Sequence, residues 1–524
     1  MGTNASIVKG TALLAGAGLV AKAFGALYRI FLARTIGNEG IGLYQMAYPI
    51  YLIFLSLSTA GLPIAISRMV AARVAAGDRG GANRVLSAAL ILLAGLGVVS
   101  TLAMALSARW LAGTVVADSR AVYAIWALAP AIAFMSLIAG FRGFFQGWQQ
   151  MIPSAVSQII EQMVRVAVAL ILAVLLLPYG VEHAAAGAAF GATMGGMAGL
   201  VYLIWTFYRR RRQREGSPVA GPGMGGRTAE PFHRTIAKLL RFTLPIALAT
   251  VLTPLLQAID SMIVPARLQS IGYATGQATA LLGILGNSWA VVYLPLIVTA
   301  AMASNLVPAL SGLLTQEKHR QLQTRIGEGL RLGMLYLVPA SAMLLVFGGT
   351  IYRLLYGGAQ GMILCWFAPA VLLLGLEQVS AGTLQGLGRP SLPLVHFVCG
   401  AAVKVGVTLT ATGWPGLNLA GAALGTAAGA GVTAVLNLWA IQRLTGAALP
   451  SNLAALCGGG GMIAVSWYLS RHLNCHYILE FLISGFFGVT AYLALLWILG
   501  GIGRQDLEII SDLVGHTMSR SKQY

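Results

Sequence analysis

Apolar runs long enough to cross a bilayer recur along the whole chain, with short polar breaks between them. The alternation typical of amphipathic strands is absent, which argues against a transmembrane barrel. The runs predict about fourteen membrane-spanning helices and thus an all-α integral membrane protein. The approximate spans are 7–33, 42–67, 84–108, 120–145, 153–177, 184–207, 235–264, 277–310, 326–348, 361–386, 391–411, 417–440, 452–470 and 478–500.

Composition and charge agree with this class and predict its orientation. Of the 524 residues, 57% are hydrophobic and only 9% are charged, whereas soluble domains carry about 25% charged residues. The net charge of +19 does not indicate nucleic-acid binding, because no RNA- or DNA-binding module accompanies it. The basic residues cluster in alternate loops, above all in RRRRQR at 209–214. By the positive-inside rule, this pattern predicts a multi-pass protein of the cytoplasmic membrane with both termini in the cytoplasm.

A polar interruption and an internal repeat divide the chain. The stretch 209–233 is typical of a flexible cytoplasmic linker between an N-terminal lobe, 1–208, and a C-terminal lobe, 234–441. Two motifs occur in both lobes, 239 residues apart: Ala129-Pro130-Ala131 and Gly143-x-x-Gln146-Gly147, then Ala368-Pro369-Ala370 and Gly382-x-x-Gln385-Gly386. We interpret them as two homologous lobes of about six helices around a central cavity. Two further helices at 442–502 are appended, and the tail at 503–524 is either a short amphipathic surface helix or a plain polar segment.

Three stretches carry a family resemblance: GTALLAGAGLVAKAFGALYRIFLARTIGNEGIGLYQMAYPIY, GLPIAISRMVAARVAAGD and FRGFFQGWQQMIPSAVSQIIEQMVRV. They resemble the stage V sporulation protein B group, in the polysaccharide-transporter branch of the multidrug/oligosaccharidyl-lipid/polysaccharide (MOP) exporter superfamily. The resemblance covers nearly the whole chain. It implies fourteen helices in two lobes, and an activity of flipping undecaprenyl-pyrophosphate-linked sugars across the cytoplasmic membrane for wall synthesis.

The related lipid II flippase shares the ARxxG step at 33–37 but differs in the next predicted helix. That family keeps a further arginine there, whereas this chain reads YPIYLIFLSLSTAG without charge, and Arg68 stands only at the predicted helix end. The resemblance therefore does not imply specificity for lipid II itself.

Cations within the first apolar run form the leading candidate site. Lys22 and Arg29 are seven residues apart, so they project from nearly the same helix face. In lipid such a face is costly, but in a water-filled cavity it suits a pyrophosphate. The alternatives are snorkelling to an interface or pairing with a carboxylate of another helix. Arg34 points elsewhere and is predicted to be an interfacial anchor.

Further charges are candidates for substrate binding. Arg68 and Arg142 are predicted at cytoplasmic helix ends, where anchoring explains both and headgroup contact is the alternative for Arg68. Glu161 and Arg165 stand four residues apart, which favours a local ion pair that substrate phosphate would open. Lys404 occupies the repeat position of Arg165.

Two acidic residues lie in predicted spans without a cation three or four residues away, namely Asp260 and Glu377. Intramembrane carboxylates of this kind often serve proton or sodium pathways, so either residue is a candidate for coupling to Na⁺ or H⁺. Arg267 and His396 are the alternative partners of Asp260 and Glu377. No other cofactor is predicted.

The sequence contains no P-loop for ATP, no HExxH and no GxSxG, so we predict a transporter and not an enzyme. The leading hypothesis is a flippase for a lipid-linked oligosaccharide, working by alternating access and driven by membrane potential or an ion gradient. One alternative is a cation-coupled multidrug or metabolite antiporter of the same superfamily. Another is a non-transporting membrane scaffold for wall or spore-coat assembly.

Overall fold

The computed structural model describes residues 2–59, 61–215, 232–358, 361–447, 453–473 and 475–501. Within these ranges, the side chains of 2–23, 26, 211–215 and most of 232–253 are not described. The predicted tail and most of the predicted linker lie outside the described residues.

Helices make up nearly all of the described chain. Their bounds are α1 (Gly2–Thr59), α2 (Leu62–Ala75), α3 (Arg79–Trp110), α4 (Ala121–Gly147), α5 (Met151–Leu176), α6 (Val181–Glu215), α7 (Phe232–Ser270), α8 (Thr275–Thr315), α9 (His319–Tyr356), α10 (Met362–Trp366), α11 (Ala368–Gly386), α12 (Ser391–Ala411), α13 (Ala420–Thr445), α14 (Leu453–His472) and α15 (Tyr477–Ile498). In the described ranges, 11 candidate spans are long and apolar enough to cross a membrane. The predicted all-α membrane fold is confirmed, while the total of fourteen spans stays a prediction.

Two glycines shape the first helices. Gly37 adopts φ 69° and ψ −179°, which breaks α1 into segments 2–36 and 38–59. Gly61 adopts φ 72° just before α2, whose first turn contains Pro63. The predicted span 42–67 is therefore interrupted, and the prediction that Arg68 ends a helix is wrong. Arg68 lies within α2 and is exposed.

The chain forms two compact units, Met1–Asn287 and Ser288–Tyr524. The first unit includes α7 and the start of α8, because α7 packs against α1. At this contact the Ser261 hydroxyl donates to the backbone oxygen of Gln45 at 3.0 Å. The compact unit thus extends beyond the predicted N-terminal lobe, and the division at the linker stays a prediction.

The internal repeat appears in matching helix ends within each unit. After α4, the amide of Gln150 donates to the Phe145 oxygen, and Gln149 has φ 56°. After α11, the amide of Arg389 donates to the Leu384 oxygen, and Gly388 has φ 74°. Both are the left-handed caps that end a helix by satisfying its last carbonyls. The turns before α3 and α9 also match, with the amides of Asp78 and Lys318 bonded to Arg73 and Leu313.

The glycines of the repeated motif are helix-packing positions as well as neighbours of these caps. An ideal Cβ on Gly143 would lie 2.7 Å from the Pro63 oxygen, and one on Gly382 would lie 2.8 Å from Ala303. Such distances allow only a hydrogen at this position, so α4 packs directly on α2 and α11 on α8. The repeated sequence motif thus encodes the same close contact in both units.

A Gly195→Ala variant is expected to be less stable than the wild type by about 1–3 kcal/mol, because overpacking forces backbone shifts. An ideal Cβ there lies 2.5 Å from the Glu161 oxygen and 2.9 Å from the Arg165 Cβ, so α5 and α6 must separate. Thermal unfolding in detergent measures the effect. Gly95→Ala is the matched control, since no atom lies within 4 Å of its ideal Cβ. Equal stability of both variants would contradict this packing.

Candidate functional site

In the first unit, Arg165 of α5 faces a row of tyrosines on the second segment of α1. Tyr44, Tyr48 and Tyr51 follow the spacing that places residues on one helix face. The rings of Tyr44 and Tyr48 stack with their centroids 5.4 Å apart, and those of Tyr48 and Tyr51 are 5.7 Å apart. The charge of Arg165 acts on all three phenols. The structure therefore surrounds this cation with hydroxyl groups.

Two polar atoms in this group are buried without a partner. Neither the Nε of Arg165 nor the hydroxyl of Tyr51 hydrogen-bonds to any described residue. Buried polar groups are nearly always hydrogen-bonded, so such atoms call for a specific explanation. A ligand that accepts hydrogen bonds would satisfy both donors.

Arg29 of α1 supplies a second cation to the same tyrosines. Its Nη2 donates a hydrogen bond to the Oε1 of Gln45. The charges of Arg29 and Arg165 both act on Tyr28 and Tyr44, so the two cations lie around the same phenols. Among the described residues, no carboxylate lies within ion-pair distance of either guanidinium group, although the charge of Glu161 acts on Arg165. The group formed by Arg29, Arg165, Tyr44, Tyr48 and Tyr51 is called the cation–tyrosine site below.

Glu161 does not form the expected ion pair with Arg165. Its carboxylate lies 2.9 Å from the Nη2 of Arg142, whose Nε donates to the Ser157 hydroxyl at 2.9 Å. The side chains of Arg142 and Glu161 are only 15% and 11% exposed, so Arg142 is an interior residue and not a simple helix-end anchor. Because Arg142 forms the ion pair with Glu161, that carboxylate offsets only part of the charge of Arg165.

The second unit places its own cation at the equivalent repeat position. The Nζ of Lys404, on α12, lies 5.7 Å from the centroid of the Trp289 ring on α8, within cation–π range. Lys404 interacts electrostatically with the carboxylate of Glu377 on α11, as Arg165 does with that of Glu161. Both units thus place a cation near aromatic side chains and a carboxylate, but among the described residues only Glu161 has a second cation, Arg142, as its ion-pair partner.

His396 is not the partner of Glu377. Its Nδ1 lies 2.8 Å from the Oδ1 of Asn437, whose Nδ2 donates to the Ser380 hydroxyl at 3.1 Å. This buried chain of hydrogen bonds joins α12, α13 and α11. His396 is therefore satisfied as a structural residue by polar neighbours.

The remaining predicted residues are distributed differently. The side chain of Lys22 lies outside the described residues, and Arg34 is exposed. Asp260 is 7% exposed within α7, beside the contact that Ser261 makes with α1. The described residues contain no group of three His, Cys, Asp or Glu side chains that could hold a metal ion. Ion coupling through Asp260 or Glu377 stays a prediction.

The sequence reasoning missed the tyrosines and Gln45. A signal was present in YQMAYPIY at 44–51, where three tyrosines and a glutamine interrupt an otherwise apolar run at helical spacing. Tyrosine is common at membrane interfaces, so its spacing alone did not separate a binding face from an aromatic belt.

Long apolar helices in two units that share repeated motifs, with cations held inside the first, define a multi-pass membrane protein. The family model described as "Polysaccharide biosynthesis protein" matches residues 7–314. The chain belongs to this family, and the resemblance to the MOP exporter superfamily is confirmed.

Known relatives and a solved structure agree with this assignment. The chain is 30% identical over 404 residues to stage V sporulation protein B of Bacillus subtilis (strain 168), covering 77% of each protein. It is 25% identical over 419 residues to lipid II flippase MurJ of the same organism, covering 77% of this chain and 76% of the relative. Its fold is similar to the structure "Lipid II flippase MurJ, inward closed conformation", with TM-score 0.68, 14% identity, and coverage of 93% and 98%. The chain is therefore a flippase or transporter of the MOP superfamily.

Proposed function

We propose that this protein flips a saccharide linked to a polyprenyl diphosphate, such as an undecaprenyl-pyrophosphate-linked wall or polysaccharide precursor, across the cytoplasmic membrane. The observation that carries the proposal is the cation–tyrosine site, where Arg29 and Arg165 share phenol neighbours without a carboxylate partner among the described residues. Burying two such cations inside a membrane protein costs desolvation free energy, which the binding of an anion would offset.

A diphosphate matches the chemistry of this site. Each guanidinium presents a planar fork of donors that suits phosphate oxygens, and each phenol adds one hydroxyl donor. The unpartnered Nε of Arg165 and hydroxyl of Tyr51 are donors of this kind. The prenyl tail would stay in lipid while the headgroup crosses inside the protein. The names of the two relatives, a sporulation protein and a lipid II flippase, support a role in wall synthesis.

The mechanism we propose is alternating access with both termini in the cytoplasm. The basic residues of alternate loops support this orientation. Membrane potential or an ion gradient would drive the cycle, since the sequence has no P-loop. Asp260 and Glu377 are the candidates for ion coupling, and Lys22, Arg68, Glu161 and Lys404 complete the predicted substrate-binding set.

Simultaneous replacement of Lys22 and Arg29 with Ala is expected to abolish transport, because their seven-residue spacing predicts that both cations share one helix face. The test is complementation of a bacterial strain depleted of its lipid II flippase, with membrane levels checked by immunoblot. Arg34→Ala, an exposed arginine of the same helix, is the matched control and should complement. Full growth with the double variant would count against the proposal.

A parallel assay in a drug-sensitive strain separates the flippase from a cation-coupled antiporter. The cation–tyrosine site would repel a cationic drug, so we expect no efflux of cationic drugs. Efflux that survives the double replacement, without complementation of the flippase strain, would favour the antiporter. A scaffold would instead retain its phenotype in every variant of this site.

A further inference from the structure

A cluster of charged and polar groups joins three parts of the first unit at one end. Arg120, at the start of α4, places its Nη1 2.7 Å from the Oε1 of Glu39 on α1 and its Nη2 2.8 Å from Asp118. The hydroxyl of Thr279, on α8, donates to the Asp118 Oδ2 at 2.7 Å. These four residues are called the end cluster below.

The bonds of the end cluster fall into two kinds. Asp118 and Arg120 are near neighbours in the loop before α4, so their ion pair stays within one segment. The bonds of Arg120 to Glu39 and of Thr279 to Asp118 instead tie α4 to α1 and α8 to the loop. Both of these bonds must break if α1 and α8 separate from the loop, whereas the Asp118–Arg120 pair need not.

Exposure differs within the end cluster, since the Thr279–Asp118 bond is buried and the Arg120–Glu39 contact is partly exposed. Asp118 is 3% exposed, whereas the side chains of Arg120 and Glu39 are 33% and 35% exposed. Burial by itself would raise the pKa of Asp118, but hydrogen bonds from Arg120 and Thr279 outweigh it and lower this pKa below its ordinary value of 3.8. The same ion pair raises the pKa of Arg120. Asp118 thus remains an ionised anchor at neutral pH, while water can replace the partly exposed Arg120–Glu39 contact.

Beside the end cluster, α1 and α8 touch without intervening side chains. An ideal Cβ on Gly42 would lie 1.9 Å from the Thr279 oxygen, and one on Gly283 would lie 1.8 Å from the Asn38 oxygen. Close to this crossing, the Nδ2 of Asn287 on α8 donates to the Oδ1 of Asn38 on α1 at 3.4 Å, so a polar bond joins the two helices here as well.

We propose that the end cluster is a latch, which holds α8 on α1 and must release in each transport cycle. Release rests on the proposed alternating access, in which one end of the protein opens while the other is closed. The labile bonds are Arg120–Glu39 and Thr279–Asp118, and the Asp118–Arg120 pair keeps the loop ready to close again.

A covalent cross-link between α1 and α8 tests whether the latch must open during transport. In a background with Cys365, Cys399, Cys457 and Cys475 replaced by Ser, Glu39→Cys and Gly276→Cys are joined by a short reducible bis-thiosulfonate. The ideal Cβ of Gly276 lies 2.8 Å from the Glu39 Oε1, so the two thiols are within bridging reach. Bridging should stop flipping of a lipid-linked saccharide in proteoliposomes, and reduction should restore it. Each single-cysteine protein is the control. Unchanged flipping by the bridged protein would overturn the latch.

Weakening the labile bonds tests closure without any substrate. In the cysteine-free background, Tyr48→Cys reports access to the site from the membrane face that carries the loop before α4. Adding Glu39→Gln and Thr279→Val should raise its rate of labelling by an impermeant thiol reagent about tenfold, as expected for one ion pair reduced to a neutral hydrogen bond and one hydrogen bond lost. Unchanged labelling would overturn the latch.

Two controls exclude a folding defect and a general charge effect. Thr279→Ser keeps the hydroxyl and should label at the parental rate. Glu328→Gln removes an exposed carboxylate whose ion pair with Arg325 lies elsewhere, in α9, and should also leave labelling unchanged. If labelling responds as expected but no lipid-linked saccharide is flipped by the wild type, the latch stands and the proposed substrate fails.

Discussion

Replacing Arg165 with Gln is expected to reduce transport about 10- to 100-fold while the folded protein still reaches the membrane. Hydrogen bonds to charged groups contribute about 1.5–3 kcal/mol, which corresponds to this range. Arg165 is the cation that the tyrosines surround, and Arg142 already neutralises its neighbour Glu161. Its loss therefore removes binding energy for the substrate diphosphate without leaving a buried carboxylate unpaired. Initial flipping rates in proteoliposomes measure the effect.

The repeat provides the comparison for this variant. Lys404→Gln removes the equivalent cation of the second unit, but among the described residues Glu377 has no second cation as an ion-pair partner, whereas Glu161 has Arg142, so Glu377 offsets more of the charge of Lys404. We expect a smaller loss of substrate affinity than for Arg165→Gln. Arg165→Lys keeps the charge without the planar fork and should retain intermediate activity. A larger affinity loss for Lys404→Gln than for Arg165→Gln would indicate that the anion binds in the second unit, which would contradict the proposed site.

Replacing Gln45 with Glu is expected to reduce transport at least about tenfold by supplying Arg29 with a permanent anion. The Gln45 Oε1 accepts a hydrogen bond from Arg29, so a carboxylate of the same size would form an ion pair there. A charged partner binds arginine more tightly than an amide does, and the substrate must then displace it. A tenfold reduction corresponds to about 1.4 kcal/mol of substrate-binding free energy, which is spent on displacing the new carboxylate from Arg29.

Gln45→Ala separates this charge effect from the loss of the amide. It removes the partner of Arg29 without adding charge, so transport should fall less than in Gln45→Glu. Both proteins should show wild-type thermal stability in detergent within about 1 kcal/mol, because the substituted group is half-buried. Wild-type transport by Gln45→Glu would show that Arg29 does not meet the substrate.

The substrate-binding roles of the predicted residues remain predictions. For several of these residues, the neighbours in the structure differ from those that the sequence predicts. Arg29 and Arg165 were identified because a charge in an apolar run stands out at any helical spacing. Glu161 and Arg165 were expected to pair because four residues separate them, yet Arg142 from α4 is the partner of Glu161. Local spacing identifies possible neighbours on one helix, whereas packing against other helices decides which neighbour is reached.

The tyrosines show that sequence patterns also fail to identify uncharged residues of a site. Tyr44, Tyr48 and Tyr51 carry no charge, so nothing in composition or hydropathy distinguished them from an interfacial belt. They became candidates only when α5 placed Arg165 beside them. The end cluster likewise joins residues as far apart as Glu39 and Thr279, and no motif links those positions in the sequence.

By itself, the sequence determined the membrane class, the all-α fold, the repeated GxxQG motif and the family resemblance. These properties depend on local composition and periodicity, because a bilayer demands long apolar helices and close helix contacts demand glycine. Only the tertiary structure decided which cations are neutralised, which face aromatic rings and which ends of helices are bonded together. Electrostatic interactions act through space over a few ångströms, so they depend on where separate helices meet and not on their order in the chain.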